Sequence, residues 1–100
     1  MRYRLTDAAL ADIRVITRHI RTIQKSPQNA KLVATRLKQQ FAKLPGAPDL
    51  GHRREEIDDE NVRVIQVTGL LVLYDPALKP LTILRVVHPA RDLHRIRPQH

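Results

Sequence analysis

Residues 62–88 read V-R-V-I-Q-V-T-G-L-L-V-L-Y-D-P-A-L-K-P-L-T-I-L-R-V-V-H. Three apolar runs are separated by two turn signals. Val62–Val67 is rich in β-branched residues, and Thr68-Gly69 is a tight turn. Leu70–Tyr74 is nearly all apolar. Asp75 to Pro80 is a longer turn, and Leu81–His88 is the last strand. Links this short require antiparallel neighbours. Leu70-Leu71-Val72-Leu73 is apolar on both faces, so it belongs in the centre of a sheet. The chain then continues P-A-R-D. Arg85 in mid-strand, His88 at the strand end and Arg91-Asp92 in the turn are groups that can bind a phosphate or a carboxylate.

Upstream, Arg2–Leu5 alternates polar and apolar residues and predicts a short strand. Thr6 is placed to cap a helix, with Asp7 in its positive first turn. Leu10, Ile13, Ile16, Ile20 and Ile23 follow at helical spacing. Ser26-Pro27 opens a second helix, with serine as N-cap and proline at the first helical position. Its apolar face is Ala30, Val33, Ala34, Leu37, Phe41 and Leu44. Pro45-Gly46-Ala47-Pro48 ends it. The joint is short, so residues 6–44 should form an antiparallel helical hairpin. Residues 49–60 read as a charged loop, with room for a short strand around Arg54. The segment 94–100 has no periodicity and should fray. The expectation is one α+β domain over residues 1–100, in the order β-α-α-β-β-β. The helical hairpin packs on one face of a small antiparallel sheet. The other face has no helix to cover it and should meet solvent or a partner.

The chain has 100 residues, and 18 Lys and Arg outnumber 10 Asp and Glu, for a net charge of +8. Such a field attracts nucleic acid, an acidic protein or an anionic membrane surface. With no cysteine, disulfides and thiolate zinc sites are excluded, and the composition suits a reducing cytoplasm. The start has no signal-peptide pattern, and no run is long enough to span a bilayer. The five histidines show no metal-ligand spacing, and no cofactor is expected. Aromatic residues are limited to Tyr3, Phe41 and Tyr74, too few for a single-strand stacking platform.

Four stretches, taken in order, resemble the RelE/ParE superfamily of toxins from bacterial type II toxin–antitoxin systems. They are Y-R-L-T-D-A-A-L-A-D-I from Tyr3, P-D-L-G-H-R-R-E from Pro48, N-V-R-V-I-Q-V-T-G-L-L-V-L-Y-D-P from Asn61, and I-L-R-V-V-H-P-A-R-D-L from Ile83. The ending is more similar to the ParE branch, which poisons DNA gyrase, than to the RelE branch, which cleaves messenger RNA on the ribosome. The resemblance implies a toxin neutralised by an antitoxin with an acidic or amphipathic segment. It implies no membrane and no small-molecule substrate. The residues favour a binding protein over an enzyme; the alternative is a metal-independent, ribosome-dependent endoribonuclease.

Arg54, Arg63, Arg85, His88 and Arg91 are the candidate contacts for target or antitoxin. As a ribonuclease, Arg63, Arg85 and Arg91 would grip phosphate and His88 would move the proton. Each has a plainer reading. Arg85 can make an internal salt bridge, with Asp92 a candidate partner. His88 can hydrogen-bond the turn at Pro89, the preferred reading. Arg54 can anchor the loop to the sheet. Tyr74 reads as a core ring with its hydroxyl at the rim. Glu55 and Glu56 are further proton acceptors by type. Arg14, Arg18 and Arg21 read as solvated helix surface; the alternative, a DNA-groove role, is unsupported because no helix-turn-helix pattern is visible.

Overall fold

A computed structural model describes residues 2–89. Its elements are β1 (Tyr3–Leu5), α1 (Asp7–Thr22), α2 (Pro27–Lys43), β2 (Arg63–Val67), β3 (Leu70–Asp75) and β4 (Leu81–Val87). The expected order is observed. Arg91, Asp92 and the tail from residue 94 lie outside the described residues.

Local chemistry accounts for the boundaries. The Thr6 hydroxyl accepts from the Ala9 amide at 3.1 Å and caps α1. Ser26 caps α2 through the Asn29 amide at 3.2 Å, with Pro27 in the first turn. Between the helices, Lys25 takes φ +53° and the Ser26 amide reaches back to the Ile20 carbonyl at 3.1 Å. This closes α1 in the way a glycine usually does. The β2–β3 turn has Thr68 at φ 48° and Gly69 at φ 82°. Positive φ at both central residues is the backbone of a two-residue hairpin whose twist matches its strands.

The sheet order is β1-β4-β3-β2. β2, β3 and β4 pair antiparallel, as expected. β1 corrects the expectation of an all-antiparallel sheet: it runs parallel to β4, with Tyr3 opposite Leu81 and Leu5 opposite Ile83. The whole helical hairpin and two strands separate β1 from β4, so the chain has length enough to return in the same direction. All of β3 is buried. Leu70, Val72 and Tyr74 join the cluster beneath the helices with Leu37, Phe41 and Leu44. Leu71 and Leu73 point the other way.

The second face is also a correction. Leu71, Leu73, Val64 and Val87 pack there with Ile57 and Val62 into a second small core. Ile57 is the single apolar residue of the charged run from His52 to Glu60. It brings the loop across the face that was expected to lie open. The loop touches β2 through His52, which bridges Val64 antiparallel.

The apolar stripe of α1 is shorter than its spacing suggests. Ala9 is fully buried and Ile13 and Ile16 pack partly against the core. Leu10 is 39 % exposed and Ile23 68 %. At its other end α1 is tied to β4 through Thr6, whose hydroxyl donates to the Leu84 carbonyl at 2.8 Å. Thr6→Ala removes this bond together with the cap. It should lower stability by roughly 0.5–2 kcal/mol, the usual range for a lost cap, as read by chemical denaturation. Unchanged stability would mean that neither bond contributes.

Candidate functional site

Arg85 is held by a carboxylate on α1. The alternation of β4 breaks between Ile83 and Val86, both of which face the helix-side core although they are three residues apart. An unbroken strand with period two cannot do this. The break is a bulge: Leu73 pairs with Arg85, the next residue Tyr74 with Ile83, and Leu84 is skipped. β1 has already ended at Leu5, so the β1 side of β4 has lost its strand partner there. Asp12 takes that place. Its Oδ2 accepts from Arg85 Nε at 2.7 Å and from the Val86 amide at 3.0 Å, and its Oδ1 accepts from Arg85 Nη2 at 2.8 Å. The salt-bridge reading of Arg85 therefore has Asp12 as its partner. Asp92 lies outside the described residues.

Arg63 and Tyr74 are registered neighbours on β2 and β3, and together they bolt down the segment from Pro48 to His52. The Tyr74 hydroxyl donates to the Pro48 carbonyl at 2.8 Å and accepts from the Gly51 amide at 2.7 Å. Arg63 Nη1 donates to the Gly51 carbonyl at 2.7 Å, and Nη2 lies 3.4 Å from Asp49. A Cβ on Gly51 would fall 2.7 Å from the Tyr74 hydroxyl and 2.9 Å from the Val64 carbonyl. Only glycine fits this approach. Tyr74 is thus a core ring with its hydroxyl committed, as its plainer reading expects.

His88 lies at the far end of the sheet. Arg63 pairs with Tyr74, whereas Leu71 pairs with Val87, next to His88. Three residues of β3 separate the two levels, roughly 10 Å at the strand rise. The candidate phosphate-binding set is therefore divided. Arg63 holds a loop at one end, Arg85 holds α1 near the middle, and His88 borders a groove at the other end. Arg91 lies outside the described residues. Arg54 sits beside β2 with Leu50, His52 and Gln66, and pairs with Glu56 at 3.3 Å in a largely exposed contact. Such pairs contribute about 0–1 kcal/mol.

The groove at His88 has a volume of about 680 Å³ and is open to solvent. Val15, Ile16 and Ile20 of α1, Val33 of α2 and Leu70 of β3 line it, with His19, Asn29 and His88 among the polar residues. Val15 is 63 % exposed. The spacing Ile13, Ile16, Ile20, Ile23 reads as core from sequence alone. Ile20 lines this groove instead, and Ile23 is exposed. No helix among the described residues is long and apolar enough to cross a membrane.

Burial raises the Tyr74 pKa above its ordinary value of about 10. The folded chain therefore keeps this proton after the unfolded chain has lost it. The resulting stabilisation is complete below pH 10 and is lost as pH rises through the raised folded value. Tyr74→Phe leaves the buried Gly51 amide without its acceptor. It should lower stability by about 1–3 kcal/mol at neutral pH and flatten the alkaline decline, both read by denaturation at several pH values. An unaltered alkaline profile would assign that decline to other groups.

The chain is similar in fold to a solved structure described as the chromosomal ParDE TA system from P. aeruginosa. The TM-score is 0.71 at 20 % identity, over 86 % of this chain and 92 % of that chain. No curated protein sequence matches the chain. The family model for the ParE toxin of type II toxin–antitoxin system, parDE, matches residues 3–93. That span runs from β1 through the bolted loop and beyond the bulged β4, and the chain belongs to the ParE toxin family.

Proposed function

We propose that this toxin inhibits DNA gyrase in the cytoplasm and is held inactive by a cognate antitoxin. The observation that carries the reading is the division of the cationic candidates. A ribonuclease needs cations and a proton acceptor converging within hydrogen-bond reach of one phosphate. Arg63 and His88 lie at opposite levels of the sheet, and Arg63 and Arg85 are each bound to a structural partner. This geometry suits a binding protein. Membership of the ParE family supports gyrase as its target.

The antitoxin is proposed to lay an amphipathic segment into the groove lined by Val15, Ile16, Ile20, Val33 and Leu70. A helix anchored in a groove by apolar residues at helical spacing is a common recognition mode. His88 and, beyond the described residues, Arg91 would meet acidic groups at its rim. Arg54 would contact the target beside β2. Arg63 and Arg85 would act through the scaffold they hold.

The test is supercoiling of a relaxed plasmid by purified gyrase, run beside ribosome-programmed translation, with and without antitoxin. The expected result is lost supercoiling or accumulated cleaved plasmid, with translation intact and gyrase activity restored by antitoxin. Intact supercoiling with cleavage of the message would overturn the reading in favour of the endoribonuclease.

A further inference from the structure

The charges of this molecule are segregated. Residues 13–48 carry eight Lys and Arg and no Asp or Glu. All eight are exposed, and none is in an ion pair among the described residues. Residues 49–60 carry six acids against two arginines. The helical hairpin is one cationic body, and the acidic loop packs across the opposite face of the sheet. Such a distribution orients the whole molecule in the field of a polyanion, helices first.

The cations on α1 are also ordered. Arg14, Arg18 and Arg21 recur at intervals of four and three residues. At about 100° per residue they fall within roughly 60° of one another, and roughly 140° from the Ile13, Ile16 and Ile20 face. They form a ridge on the solvent side of the helix, away from the apolar groove. The ridge is roughly 10 Å long at the helix rise. That length matches about three phosphates of one duplex strand, at about 3.4 Å each. Lys25 continues the positive charge into the joint between the helices.

We propose that the helical hairpin binds the phosphate backbone of duplex DNA independently of sequence, with the Arg14, Arg18 and Arg21 ridge as its centre. Three observations select this partner. An acidic protein needs buried apolar or aromatic anchors for affinity, and on the face of α1 that carries these three arginines the neighbours are Ala11, Thr22 and a single exposed leucine, Leu10. A single strand needs exposed rings to stack on, but Phe41 and Tyr74 are buried and Tyr3 packs on Phe41 at 5.8 Å. Double-stranded RNA is recognised by shape and 2′-hydroxyl contacts in addition to phosphate contacts, whereas the ridge offers cations for phosphate alone. The surface is separate from the proposed antitoxin groove, and its test does not depend on gyrase.

The experiment is fluorescence anisotropy of the full chain on labelled duplexes of about 20 base pairs, in several unrelated sequences. Salt is varied from about 50 to about 200 mM. The expected result is equal binding to every DNA sequence. Neutralising about four phosphates should make affinity fall on the order of 100-fold over that range. The variant R14Q/R18Q/R21Q should bind about tenfold or more weakly at low salt, with a shallower salt slope. The control R2Q/R53Q/K79Q removes the same charge outside the hairpin and should bind nearly as the parent does. Circular dichroism establishes that both variants are folded. Equal losses in the two variants would reduce the effect to net charge and overturn the proposal. So would no binding at low salt, tighter binding to duplex RNA, or ridge-dependent binding of an acidic peptide without binding of DNA.

Discussion

One carboxylate joins the two layers of this fold. Asp12 accepts two bonds from Arg85 and one from the Val86 amide, at the point where β1 has ended and β4 is bulged. A bare strand edge and a cation near the core would both be costly. Asp12 answers both from α1, and it holds the helix at a fixed height on the sheet. That height decides which residues of α1 meet the core and which remain outside. Ala9 and Ile13 fall on the core side. Val15, Ile20 and Ile23 lie further along and line or flank the open groove. The position of the arginine ridge follows from the same rotation of α1.

The basic residues of the sheet and those of the helices differ in role. Those on the sheet are bound to the scaffold: Arg85 to Asp12, and Arg63 to Gly51 and Asp49. Those on the helices are exposed and carry the electrostatic field. A charged side chain on a strand does not identify a reactive centre when a well-formed partner stands 2.7 Å away. The P-D-L-G-H stretch has the same lesson. Pro48 gives a carbonyl to Tyr74, Asp49 faces Arg63, Gly51 leaves room for the tyrosine hydroxyl, and His52 bridges β2. Its residues hold a loop in place, and the loop then brings Ile57 over the second core.

Much of the architecture was legible because its signals are local. Thr6 and Ser26-Pro27 mark helix starts by capping chemistry alone. Thr68-Gly69 marks a hairpin by the backbone angles it tolerates. The unbroken apolar run at Leu70 marks β3 as a central strand. The features that escaped depend on distant partners. Asp12 lies 73 positions from Arg85, and on a helix wheel it looks like any solvent-facing acid. The parallel pairing of β1 leaves no mark in three residues. The skipped Leu84 gives no glycine or proline to flag a bulge. Ile57 did carry a signal, as a lone apolar residue among charges, and its burial could have been anticipated. For the candidate site, chemistry by residue type was readable, but convergence was not, because it depends on strand register.

Arg85 is a structural cation whose partner is Asp12. A double-mutant cycle tests this pairing most directly, using Asp12→Ala, Arg85→Ala and the double variant, each unfolded by urea. Each single variant should be destabilised, and the double should lose less than the sum. The coupling should lie in the range of about 0.5–3 kcal/mol found for residues in contact. Additive losses, with no coupling, would contradict it and return Arg85 to the surface chemistry of the toxin.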